Sequence, residues 1–259
     1  MRSAIVATAL ALLVSPVFAG EAYTPPAVTP AKTLEPPADL RADAIALLKA
    51  VQAGDIETVG GFIAPKVTVV SGALDLSLPR RVTIEESGSN PRGAVAGLGN
   101  HTGGDWDIPP DANIGEFLAD MELDFIEGSL TDGQPWGLDP LLPGTVCTYG
   151  YELYDPAAVK RAAAALRIDP ASFVMVAEGT PVLDRPGGRQ VGTLSAAALY
   201  GMDYDTDAGR DWVALHLPQG GIGFVAVGED GLDKPYADGL CFKKTGGKWK
   251  IVGQASTGL

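Results

Sequence analysis

The chain has 259 residues, 46% of them hydrophobic and 20% charged, a globular composition with room for one large domain or two small ones. Thirty-two acidic residues against 19 basic ones give a formal net charge of −13. That balance argues against nucleic acid, anionic membrane surfaces and anionic polymers as partners, since each needs a basic face.

At the N-terminus, Arg2 precedes an apolar run from Ala4 to Val17 that closes on Val17-Phe18-Ala19, where a signal peptidase reads small residues. A run of about 14 residues is shorter than the ~20 that span a bilayer. Residues 1–19 are therefore expected to be a secretory leader cleaved near Ala19, and the chain to be periplasmic or secreted. No cysteine follows the cleavage point, so lipid attachment is not expected there, and no second stretch of spanning length occurs. Residues 20–38, with "EAYTPPAVTPAKTLEPP", carry prolines densely enough to block helix and ladder alike, and read as an extended, mobile linker.

Leu40, Ala44, Leu47, Leu48 and Val51 recur at spacings of three and four, the apolar face of a helix that Gly54 ends. Asp55 is placed to cap a short second helix toward Phe62. "KVTVVSG" from Lys66 and "RRVTIEES" from Arg80 read as strands. Residues 87–113 are rich in Gly, Asn, Asp and Pro with little periodicity, and are expected to form a long loop, mobile or functional. Phe117, Leu118, Met121, Phe125 and Ile126 predict a helix with those residues inward, and Asp155-Pro156 opens an alanine-rich one. After Pro170 short alternating strands follow one another between Gly and Pro turns, the pattern of a small barrel or sandwich.

Within that second half, "TPVLDRPGGRQVGTLSAAALYGMDYDTDAGRDWVALHLPQGGIGFVAV" resembles a bacterial SH3-like (SH3b) domain. The matching positions are Pro186, Val191, Gly192, Leu194, Trp212, Leu215, Gly220, Gly223, Phe224 and Val225, with Phe in place of the usual Trp before the last Val. The stretch "LLKAVQAGDIETVGGFIAPKVTVVSG", joined far later by "LCFKKTGGKWKIVGQAS", is similar to NTF2-like α+β proteins, which open with such a helix pair and end on such a strand. Together the resemblances imply an α+β fold: an NTF2-like domain over 39–170, which 239–256 would complete, and an SH3-like β-barrel over 171–238. Two cysteines, Cys147 and Cys241, in an exported chain read as one disulfide closing a loop of about 94 residues. The bond would join the middle of the chain to its last strands.

The candidate chemistry is sparse. Asp203, Asp205, Asp207 and Asp211 alternate as in a calcium loop, but Ala208 and Ala214 stand where that loop needs its glycine and its bidentate glutamate. A solvated hairpin turn is the expectation, and no metal site. His101, near Asp105 and Asp107, matches no zinc pattern, and His216 has the spacing of a strand surface position. There is no G-x-S-x-G elbow and no catalytic residue is assigned; Asp124 is the carboxylate by which an enzyme in the NTF2-like cone would be tested. The aromatic residues fit binding better: Tyr200, Tyr204, Trp212 and Phe224 would flank the barrel loops, where a shallow groove stacks a peptide or sugar face. Trp212 and Phe224 are also the residues expected inside the barrel, which leaves the two tyrosines as the better ligand contacts. The resulting expectation is non-catalytic recognition of an envelope peptide, cell-wall fragment or protein partner, without a cofactor; the alternative is an envelope enzyme.

Overall fold

The computed structural model describes residues 22–72, 75–101, 111–227, 232–235 and 238–257. The leader expected at 1–19 lies outside them, as do Asp105, Trp106 and Asp107. The first half of the chain forms β1 (Val28–Thr29), α1 (Ala38–Gln52), α2 (Ile56–Phe62), β2 (Ile63–Ser71), β3 (Arg81–Glu86), α3 (Pro91–Gly99) and α4 (Ile114–Thr131). There follow β4 (Val146–Cys147), β5 (Leu153–Tyr154), α5 (Pro156–Leu166), β6 (Phe173–Val174), β7 (Thr180–Leu183), β8 (Gln190–Leu194), β9 (Tyr200–Gly201), β10 (Trp212–His216), β11 (Ile222–Ala226), β12 (Gly239–Thr245) and β13 (Lys248–Ser256). The result is an α+β fold with open sheets.

One sheet runs β3-β2-β13-β12-β4, so residues from the end of the chain lie at its centre. β13 pairs parallel with β2, and the β12–β13 hairpin turns on Gly246 and Gly247, whose φ of 58° and 85° suit the left-handed positions of a tight hairpin. Helices cover one face. Leu40, Leu47 and Val51 of α1, Val59 of α2, Val95 and Leu98 of α3 and Ile126 of α4 pack on Leu240, Phe242 and Ile251. On the other face Val70, Leu142, Tyr149 and Ala255 surround Cys147 and Cys241, which face each other across β4 and β12 and are disulfide-bonded.

The second sheet runs β10-β11-β7-β8, and β6 pairs with β9, which touches β10 through a Met202–Leu215 bridge. Its core is Val174, Val182, Leu194, Tyr200, Leu215, Leu217 and Val225. The β10–β11 register explains which side chains enter it. Val213 opposes Val225 and Leu215 opposes Gly223 on the inner face, so Trp212 and Phe224, one residue out of phase, occupy the other face and are half-buried. The expectation that they fill the interior is therefore corrected by one step of strand alternation.

Three more expectations change. The proline-rich segment is docked: Tyr23 and Val28 are buried, β1 pairs with β5, and single bridges join Ala27 to Ala198 and Thr33 to Gly137. Proline forbids a continuous ladder, but a strap that pairs only at intervals does not need one. Residues 91–99, read as loop, are α3, whose first turn is capped by Asn90 Oδ1 accepting from Gly93 N at 2.8 Å. On α4 the buried residues are Ala119, Glu122 and Ile126, so Ile126 lies inward as expected and Phe125 packs on the core, while Phe117, Leu118 and Met121 are only half-buried.

Candidate binding groove

α5 ends at Leu166, and Arg167 takes the left-handed conformation at φ 59°, rare for a residue with a Cβ. The chain then reverses into a 3-10 turn, Pro170–Ser172, opened by Asp169 Oδ1 accepting from Ala171 N at 2.8 Å. Ser172 O accepts from Met202 N at 3.0 Å, tying this turn to the end of β9. Gly201 permits the close approach: a Cβ there would lie 2.4 Å from Ile168 Cδ1. Between the turn and β9 opens a groove of about 840 Å³, bordered by Arg167, Asp169, Asp203, Tyr204, Asp205, His216 and Lys234.

The aspartate ladder forms part of this rim. Asp203 Oδ1 accepts from Asp205 N at 2.9 Å and Oδ2 from Thr206 Oγ1 at 3.0 Å, while Asp207 Oδ1 accepts from Gly209 N at 3.0 Å. These are side-chain braces of a turn, and among the described residues no three His, Cys, Asp or Glu side chains converge as a metal would require. On the opposite wall Lys234 Nζ donates to Ala171 O; burial pushes its ammonium below the ordinary lysine value, and the charge of Asp169 opposes that shift.

Of the four aromatic residues expected to contact ligand, only Tyr204 borders the groove, with 72% of its surface exposed. Tyr200 is buried opposite Val174, its hydroxyl accepting from Ser195 N at 3.1 Å, and is withdrawn from contact with a ligand. Trp212 and Phe224 lie on the sheet face away from the core. His216 does border the groove. Arg167, Asp169 and Lys234 were not anticipated; Asp169-Pro170, a turn-opening pair after an alanine-rich helix, was the legible signal of a chain reversal.

A second polar cluster lies beside the disulfide. Arg80 Nη1 and Nη2 donate to Asp139 Oδ1 and Oδ2 at 3.1 and 2.7 Å, Tyr149 Oη donates to Oδ2 at 2.8 Å, and Leu141 N donates to Oδ1 at 2.9 Å. The guanidinium also stacks 3.9 Å above the Tyr151 ring. Burial pulls the Arg80 guanidinium down, yet its bonds to Asp139 outweigh that and raise it; burial, then the charge of Asp139, pushes the Tyr149 hydroxyl well up. The carboxylate accepts four hydrogen bonds, its full capacity, so this cluster is a pin rather than a receptor. An apolar pocket of about 260 Å³ beside it is lined by Pro30, Leu138, Pro140, Leu142, Pro143 and Tyr151.

In the helix-backed layer, Asp124 is exposed, and the buried carboxylate of α4 is Glu122, whose Oε2 accepts from Gln254 Nε2 at 3.2 Å. Its spacing of three from Ala119 and four from Ile126 was the available clue. No helix among the described residues is long and apolar enough to cross a membrane. No known protein family, curated protein or solved structure matches the chain.

Proposed function

We propose that this protein is exported to the cell envelope and binds, without catalysis, a peptide or the peptide part of a cell-wall fragment in the groove between the end of α5 and β9. In this reading residues 171–238 are an SH3-like barrel and 39–170 with 239–256 an NTF2-like domain that carries it. The observation that supports binding most is the convergence on one open groove of an exposed tyrosine ring, an imidazole and three carboxylates, Asp169, Asp203 and Asp205. A stacking ring among side chains of both charges, with Arg167 and Lys234 beside the carboxylates, suits a peptide carrying amino and carboxyl groups, and a net charge of −13 disfavours anionic polymers. The disulfide accords with an oxidising compartment. The test is titration of a soluble peptidoglycan digest into the protein and into Tyr204→Ala. The reading expects heat of binding in the first and a loss of about tenfold or more in the second; equal binding by both, or none by either, removes it.

The enzyme reading now rests on Glu122 rather than Asp124, because a carboxylate buried between helix and sheet has the setting of a proton-transfer group. Turnover on envelope substrates that Glu122→Gln abolishes would favour it.

A further inference from the structure

β3 is an open edge. It closes one end of the five-stranded sheet, and five of its six residues are exposed, Ile84 at 69% and Val82 at 47%. Such an edge ordinarily needs blunting, because its unpaired backbone groups accept any extended chain. The strand reads Arg81-Val82-Thr83-Ile84-Glu85-Glu86: basic at its start, acidic at its end, apolar on either side of a central threonine. Reversed about Thr83, residues 81–85 are their own complement.

The backbone fixes how a second copy would align. β2 and β3 pair without a shift from Lys66–Glu86 to Ser71–Arg81, and the next pair outward is bonded, Ser87 N donating to Pro65 O at 3.0 Å. Antiparallel ladders alternate, so Thr83 and Glu85 also turn their N–H and C=O toward β2, while Val82, Ile84 and Glu86 turn theirs outward. In the two-fold register centred on Thr83, Val82 faces Ile84 of the other copy and the two exchange N–H···O bonds. Arg81 then faces Glu85 of the other copy, twice over by symmetry, and the apolar pairs fall together on one face of the sheet. Centring on Val82 sets Arg81 against Thr83, and centring on Ile84 sets Val82 against Glu86. Only the Thr83-centred register matches charge with charge and apolar with apolar.

We propose that β3 is a self-recognition edge: two copies of this chain pair antiparallel through it, joining their five-stranded sheets into one ten-stranded sheet across a two-fold axis. Arg80 takes no part through its side chain, which is committed to Asp139. The surface lies on the helix-backed sheet rather than at the groove, so the proposal stands or falls independently of the ligand.

The test is sedimentation velocity over a hundredfold dilution series on the wild-type protein, on Arg81→Glu, on Glu85→Arg, and on an equimolar mixture of the two variants. Each variant alone sets like charges opposite each other twice, and its dimer is expected to weaken about tenfold or more. The mixture sets the acidic side chains that Arg81→Glu carries at positions 81 and 85 against the basic ones that Glu85→Arg carries at 85 and 81, and is expected to recover a heterodimer. Native circular dichroism checks each fold, and Ile84→Asp reports on the same contact if either charge variant misfolds. A wild-type monomer at every concentration, a dimer indifferent to the variants, or a mixture that stays monomeric overturns the proposal.

Discussion

The two sheets of this protein are stabilised by different means. The five-stranded sheet has four helices on one face and, on the other, a disulfide, a filled Arg80–Asp139–Tyr149 cluster and an apolar layer. The four-stranded sheet has a small core of aliphatic residues with Tyr200 and no covalent tie of its own, and it shares α5 and the N-terminal strap with the rest. Its side-chain hydrogen bonds are mostly short-range braces of turns, such as those of Asp203 and Asp207. The open groove occurs on this second part. The disulfide and the buried ion pair belong to the first part, and the groove with its exposed Tyr204 lies where the backbone is held by turns.

The sharpest way to break this contrast is to remove the covalent tie. Cys147→Ser with Cys241→Ser opens a 94-residue separation and is expected to cost about 4 kcal/mol in urea denaturation, chiefly by loosening the five-stranded sheet. Asp139→Ala leaves Arg80 buried without its partner and is expected to cost about 3 kcal/mol or more, read by the same assay. On the other side of the comparison, Gly201→Val pushes on Ile168 and Leu166. Because those contacts are side-chain ends that can shift, the expected cost is about 1–3 kcal/mol, with the end of α5 displaced and binding in the groove weakened.

Tyr149→Phe removes one hydrogen bond from Asp139 and should cost about 1 kcal/mol near neutrality. It also sharpens the comparison through pH. Burial raises the hydroxyls of Tyr23, Tyr149 and Tyr151 in the folded protein, while in the unfolded chain each titrates near 10.0. Their contribution is complete below pH 10 and is lost as pH climbs through 10 toward the folded values. Alkaline denaturation followed by circular dichroism should therefore begin near pH 10 and be less steep in Tyr149→Phe. The smallest expected effect on stability is that of Tyr204→Ala, within about 0.5 kcal/mol, since the side chain is exposed; its effect belongs to binding alone.

Much of the fold was legible because its signals are local. Asp55 and Asp155 cap α2 and α5 as their sequence contexts imply, and the alternation after Pro170 marks the strands. α3 was missed because its glycines look like loop residues. Gly99 is instead where α3 meets α4, since a Cβ there would lie 1.9 Å from Leu118 O. That contact is between helices far apart in any local window. The strap was missed for a related reason: prolines report what a segment cannot form locally, and its partners, Gly137, Leu153, Tyr154 and Ala198, are more than a hundred residues away. For the groove, a reading of aromatic residues named Tyr204, which borders it, but which of Tyr200, Trp212 and Phe224 faces inward depends on strand phase, and one residue of phase reverses the answer.

Amide hydrogen exchange, with and without a soluble peptidoglycan digest, tests most directly whether recognition lies in the lightly braced part. The account predicts new protection at residues 167–172 and 202–206 and none in β2, β12 or β13. Protection confined to the helices and strands of the five-stranded sheet would contradict it.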